Sequence, residues 1–270
     1  MSTRSPLLAL VALLAALALA PASAGASSPP TSLGVPPPGA NDPSCHSAAH
    51  PEPVVLVHGT FEDMTTNWTE LAPVLEASGY CVWALDYGNR GTGEIAKSAH
   101  ELRTFVDHVL AVTGARRVDI VGHSQGGMMP RWYIKFLGGA AKVDDLVGLA
   151  PSNHGTTNPL APPLGQAGCV SCTEQTAGSP FLAKLNAGDE TPGAVSYTQV
   201  ETRDDEVVTP FTSAFLSGPA RQTTNVLVQD DCPEDVSDHV GLAYDPVAAQ
   251  WVLNALGRRG PVDPSFRPAC

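Results

Sequence analysis

Three observations predict an α/β fold with a mostly parallel sheet covered by helices on both faces. Short apolar runs rich in β-branched residues (Val54–Val57, Val118–Val121, Leu146–Leu149) recur along the chain. Stretches with apolar residues at helical spacing lie between them. The runs are apolar but for Asp119, as expected of strands buried on both faces.

In chain order, Val54–Val57, set between Pro53 and His58-Gly59, reads as a buried strand ending in a loop. Ala72–Ser78 reads as helical and Cys81–Leu85 as extended. From Glu94 to Thr113, Ile95, Leu102, Phe105, Val106, Val109 and Leu110 keep helical spacing, and Gly114 is a natural stop. Val118–Val121 is a further buried strand, followed by a helical stretch to Leu137. Strands are expected at Leu146–Leu149, Ser196–Glu201 and Thr223–Val228, with a closing helix over Asp245–Leu256. In such a sheet, functional side chains gather at the carboxyl ends of the strands.

Residues 1–24 read as an export signal. Arg4 precedes the apolar run Leu7–Ala20, and Ala22-Ser23-Ala24 offers a small-residue cleavage site. The run is shorter than the ~18–20 residues of a membrane span, and no later stretch would stop transfer. A secreted protein without a stable membrane anchor is therefore expected. Residues 25–44, rich in Pro, Ser, Gly and Ala, read as a linker, which leaves 45–270 for one domain. With a formal net charge of −12 the chain repels phosphate backbones, so nucleic acid is excluded as a partner.

Six cysteines in an exported chain argue for disulfides, although the count alone leaves the pairing open. We read Cys45 with Cys81, Cys169 with Cys172, and Cys232 with Cys270. The first and last close loops worth roughly 3–4 kcal/mol each in the chain-entropy model. No second CxxC or spaced histidine pair turns Cys169-x-x-Cys172 into a zinc site.

Gly122-His123-Ser124-Gln125-Gly126 matches G-x-S-x-G, with a predicted strand before it and a helix after it. That context is the nucleophile elbow of the α/β-hydrolase fold, which makes Ser124 the candidate nucleophile. A serine hydroxyl needs a base, and the base needs an acid to orient it, in the chain order Ser, acid, His. Two histidines follow Ser124. His154 leaves only Asp144 and Asp145 between it and Ser124, too early for the acid, and reads as a structural loop residue. His239 follows Asp204-Asp205-Glu206 and is the candidate base; these residues alone leave Asp204 and Asp205 evenly matched as acid. Oxyanion donors are expected from the N–H of Gln125 and from the His58-Gly59-Thr60-Phe61 loop, with Thr60 preferred and Phe61 as its rival. His58 and His123 read as structural, His100 and His108 as solvent-facing or half-buried residues of a helix, and Asp230, Asp231, Glu234 and Asp235 as a solvated loop rather than a calcium site.

With those residues placed, the chain resembles the small secreted lipases of the α/β-hydrolase superfamily, the class 2 bacterial lipases and the fungal lipase B group. Val57-His58-Gly59-Thr60 and Asn67-Trp68 look like that family's oxyanion loop and following turn, and Gly122 to Gly127 is similar to its nucleophile motif. Asp205-Glu206-Val207-Val208-Thr209-Pro210 resembles the segment carrying the acid, which implies Asp205; Asp238-His239-Val240-Gly241 resembles the histidine motif. The pairs 45–81 and 232–270 fall where fungal lipase B has bridges. The resemblance runs from Pro53 to Cys270, and Asn158–Cys172 departs from it. It implies a monomeric serine ester hydrolase that needs no metal or organic cofactor and meets acyl esters, triacylglycerols first, at a lipid–water interface. A short-chain esterase or polyester hydrolase is the nearest alternative, and a binding protein on a non-catalytic hydrolase scaffold the remote one.

Overall fold

The computed structural model describes residues 34–270. The expected export signal, residues 1–24, and the start of the expected linker lie outside the described residues.

Side-chain alternation along short apolar strands builds the core. Six parallel strands, β1 (Val54–Val57), β2 (Val82–Leu85), β3 (Val118–His123), β4 (Val143–Leu149), β5 (Ser196–Glu201) and β6 (Thr223–Leu227), form one sheet in the order β2-β1-β3-β4-β5-β6. Helices α1 (Met64–Asn67) and α2 (Leu71–Ala77) join β1 to β2. The short turn α3 (Gly88–Gly91) and α4 (Ile95–Thr113) join β2 to β3, and α5 (Gln125–Phe136) follows β3. Between β4 and β5 run α6 (Ala161–Gln166), α7 (Val170–Glu174) and α8 (Pro180–Asn186); α9 (Val228–Asp231) and α10 (Pro246–Leu256) follow β6. Val54, Leu56, Val121 and Val147 face Leu75 of α2 and Trp251 and Val252 of α10. Their neighbours Val55, Val57, Ile120 and Leu146 face the other way, onto Leu102 and Val106 of α4, Met128 and Met129 of α5, and Leu185 of α8. Both faces are thus covered, as the apolar runs predicted.

Strand order also positions the cleft. The chain leaves β1 outward to β2 and returns to β3 on the opposite side of β1, so the loops after β1 and β3 part there, at the topological switch point. Thr60 lies on the first of these loops and Ser124 at the end of β3.

Two expectations are corrected. The fourth strand begins at Val143, three residues before the expected Leu146, because Asp144 and Asp145 interrupt the apolar run; its pairing with β3 crosses a register shift there, from Val118–Val143 to Ile120–Leu146. The segment 25–44, expected as a linker, is anchored from Gly34 onward. The Gly34 N–H donates to Asp86 Oδ2 (2.6 Å), the Asn41 N–H to Val82 O (2.9 Å), and the Asn41 amide bonds both backbone groups of Ala84. The outer edge of β2 would otherwise present unpaired backbone groups, and this segment covers them.

Disulfides join Cys45 to Cys81, Cys169 to Cys172 and Cys232 to Cys270. Among the described residues no helix is long and apolar enough to cross a membrane.

Candidate active site

Ser124 links β3 to α5 with φ 54° and ψ −121°, a backbone region that costs a side chain strain. Two glycines make the turn possible. A Cβ on Gly122 would lie 1.9 Å from Gly126 O, and one on Gly126 would lie 2.0 Å from Val57 O. The Ser124 N–H is held by Leu149 O (2.8 Å), and the side chain, 7% exposed, lies on the wall of a cavity of about 410 Å³.

His239 and Asp205 meet at 2.7 Å, imidazole Nδ1 to carboxylate Oδ2. The other carboxylate oxygen accepts the N–H groups of Val207 (2.8 Å) and Val208 (2.7 Å). Asp205 is therefore held by three donors, the proton sits on Nδ1, and Nε2 is left as the basic nitrogen. Asp204, its sequence rival, is exposed. Ser124 and His239 line the same cavity; no hydrogen bond joins the Ser124 hydroxyl to His239, a contact that often tightens only when substrate binds. His154 is absent from the cavity wall and instead pairs with Glu190 (3.0 Å) and Ser213 O (3.1 Å).

Of the residues expected as oxyanion donors, Phe61 has its N–H spent on Arg90 O (2.7 Å). The N–H groups of Thr60 and Gln125 have no protein acceptor among the described residues. Thr60 is also fixed through its hydroxyl, which accepts from Gln125 Nε2 (2.7 Å) and Gln175 Nε2 (3.0 Å). Gln175 in turn accepts from Ser152 Oγ (2.8 Å), so the segment after β4 braces the Thr60 loop. Nothing in the sequence around Gln175 signals this contact, which spans 115 residues.

His123, read from the sequence as structural, is a second buried imidazole at the site. Its Nδ1 meets Glu62 Oε2 (2.8 Å) and its Nε2 meets the carbonyl of His239 (2.8 Å). Both ring nitrogens face oxygens, which a doubly protonated ring satisfies. Burial alone would lower the His123 pKa, but the Glu62 carboxylate raises it above the ordinary value. Burial opposes the Glu62 charge in the same way, and His123 overcomes it, holding that carboxyl below its usual range.

The rest of the wall is mostly apolar, with Leu160, Ala161 and Leu164 at α6, Val207 and Val208 beside the acid and Val240 beside the base, and it also carries Ser152, Thr156 and Asn158. Leu160 (63%), Val240 (47%) and Phe61 (46%) remain exposed around it. The departing segment 158–172 forms α6 and α7, closed on itself by Cys169–Cys172. It is pinned where Ser171 Oγ donates to Gly91 O (2.6 Å) and Glu174 accepts the Ile95 N–H (2.7 Å). Among the described residues, the carboxylates close enough to hold a cation are Asp119, Asp144 and Asp145, away from this cavity.

The profile of the class 2 lipase family matches residues 51–252, most of the chain and all of the motifs just described. This chain belongs to the class 2 lipases. Among curated relatives, a triacylglycerol lipase of Pseudarthrobacter phenanthrenivorans is 35% identical over 97 residues, 32% of this chain and 28% of its own length. A triacylglycerol lipase of Burkholderia plantarii is 35% identical over 97 residues, 32% of this chain and 25% of its own. The chain thus spans about a quarter of the length of these curated relatives. Among solved structures, Aspergillus fumigatus lipase B superposes with a TM-score of 0.71 at 24% identity, over 81% of this chain and 56% of that one. A mature Bacillus licheniformis lipase superposes with a TM-score of 0.61 at 16% identity, over 80% of this chain and 96% of that one. These likenesses give the class 2 lipase chain its α/β-hydrolase fold.

Proposed function

We propose that this class 2 lipase is a secreted serine carboxylic-ester hydrolase that acts on triacylglycerols through an acyl-enzyme, with Ser124, His239 and Asp205 as its triad. The observation that carries the proposal is convergence: a strained serine and an imidazole locked to a buried carboxylate share one apolar cavity. His239 Nε2 takes the Ser124 proton as the hydroxyl oxygen attacks the ester carbonyl, and passes it to the leaving alcohol as the tetrahedral intermediate collapses. The N–H groups of Thr60 and Gln125, free of protein acceptors, stabilise the oxyanion, and Asp205 stabilises the imidazolium. A water activated by His239 then releases the acid and restores Ser124.

The apolar wall and the exposed Leu160, Val240 and Phe61 around it support a water-insoluble acyl substrate over a small soluble one. Three disulfides and the signal-like residues 1–24 support export. The test is hydrolysis of a p-nitrophenyl ester series, from acetyl to long acyl chains, and of an emulsified long-chain triglyceride. Wild type is expected to cleave the triglyceride and to favour longer acyl chains, and Ser124→Ala to lose at least ~10⁴-fold in kcat. Activity on short esters alone would make it an esterase; full activity in Ser124→Ala would remove the mechanism.

A further inference from the structure

Behind the triad acid lies a carboxyl group that the hydrolytic scheme does not use. Glu201, the last residue of β5, is fully buried. Its Oε1 accepts the Thr202 N–H (2.8 Å), while its Oε2, equally shut off from solvent, meets no donor. The side chain within its hydrogen-bonding reach is Asp205. Two carboxyl groups in contact and out of water do not both ionise. Asp205, with N–H donors from Val207, Val208 and His239, is the one equipped to carry the charge; Glu201 has a single donor. A proton on Oε2 removes the second buried charge and gives the orphaned oxygen an acceptor. Burial first, and the Asp205 charge second, hold the Glu201 pKa well above the usual carboxylate range.

We propose that Glu201 is a neutral carboxylic acid that donates its Oε2 hydrogen to Asp205 and so positions the triad carboxylate against His239. Glu201 is absent from the cavity wall and acts only through Asp205, which makes it a positioning residue. Its kinetic role rests on the reading of Asp205 as the triad acid, whereas the location of the proton does not. By drawing charge from Asp205, the neutral acid weakens the pull of that carboxylate on the His239 imidazolium, and losing it strengthens that pull. Asp205 is the titratable group facing Glu201. Around His239 stand Asp205, Glu206, whose Oε2 accepts the His239 N–H at 3.4 Å, and His123, backed by Glu62.

Two variants and an infrared measurement test this. Glu201→Gln keeps the shape and a donor; Glu201→Met removes the donor. The wild-type-minus-Gln infrared difference spectrum at neutral pH should contain the C=O stretch of one protonated carboxylic acid, and subtraction cancels any protonated carboxyl elsewhere in the protein. In ester hydrolysis, Glu201→Met should lower kcat ~10- to 100-fold with little change in KM and move the acidic limb of kcat/KM to higher pH. Glu201→Gln should restore most of kcat and return the limb. A difference spectrum without the band overturns the proton assignment even if no ester is cleaved. Glu201→Met matching wild type, or folded Glu201→Gln failing as badly as Glu201→Met, overturns the positioning role.

Discussion

The sheet buries carboxyl groups at both of its ends and surrounds them differently. At the carboxyl ends of the strands, Asp205 takes N–H donors from Val207, Val208 and His239, and Glu62 takes donors from Gly59 and His123. At the amino ends, Asp119 on β3 and Asp145 on β4 lie beside each other and beside Asp144, which is itself paired with Arg117. Asp119 Oδ1 accepts the Asp145 N–H (3.1 Å), and Asp145 Oδ1 meets no donor. Burial, and then the neighbouring carboxylates, push the Asp119 pKa well up, and that of Asp145 is raised in the same direction. Asp205 and Glu62 therefore have the donors to hold charge, whereas Glu201 behind Asp205 and the amino-end pair Asp119 and Asp145 are short of them. Donor count decides which groups carry it.

The largest break in this contrast is Asp205→Asn. An amide there presents N–H where His239 Nδ1 needs an acceptor, and kcat should fall ~10⁴-fold while Asp204→Asn stays close to wild type. Steady-state kinetics of the two variants checks this.

A smaller effect is expected from Glu62→Gln, which leaves His123 without its counter-ion. Removing one partner of a buried pair costs about 3–5 kcal/mol, and the partial exposure of Glu62 should reduce this to roughly 2 kcal/mol. The pH window follows from both partners. The His123 pKa is raised, so its contribution is complete below the ordinary value of 6.5 and is lost as pH rises through the higher folded value. The Glu62 pKa is lowered, so its contribution is present above 4.5 and is lost as pH falls through the lower folded value. Urea unfolding should show the widest gap between wild type and variant between those two values.

The smallest effect has the opposite sign. The native state holds on Asp119 a proton that the unfolded chain releases above 3.8, so wild type loses stability as pH rises beyond that value. Asp119→Asn can still accept from Asp145 N and should be more stable than wild type by on the order of 1 kcal/mol at alkaline pH, with the gain vanishing in acid. Urea midpoints at mildly acidic and alkaline pH measure it.

The same contrast explains what the sequence revealed. Strands buried on both faces announce themselves as apolar runs, and β1 falls where its run predicted, at Val54–Val57; β5 also lies at the expected Ser196–Glu201, although its residues are mostly polar. The start of β4 was hidden because Asp144 and Asp145 break the apolar run inside the strand. The candidates Ser124, His239 and the acid cluster were legible from spacing and chain order, since an elbow needs glycines at fixed offsets and the acid is expected before the base. The choice of Asp205 over Asp204 came from resemblance, and what separates the two in the structure is burial. Glu62, Gln175 and Glu201 carry no local signal, because each owes its role to a partner brought near only by folding. The helix Pro180–Asn186 was not anticipated, although Ser179 Oγ caps it by accepting the Leu182 N–H and Pro180 opens it.

The most direct test of the central claim, that Ser124 is the nucleophile activated by His239, is reaction with a fluorophosphonate followed by peptide mass spectrometry. A single adduct on Ser124, formed quickly in wild type and slowly in His239→Ala, is the predicted result. No adduct, or an adduct on another cavity serine such as Ser152, would contradict it.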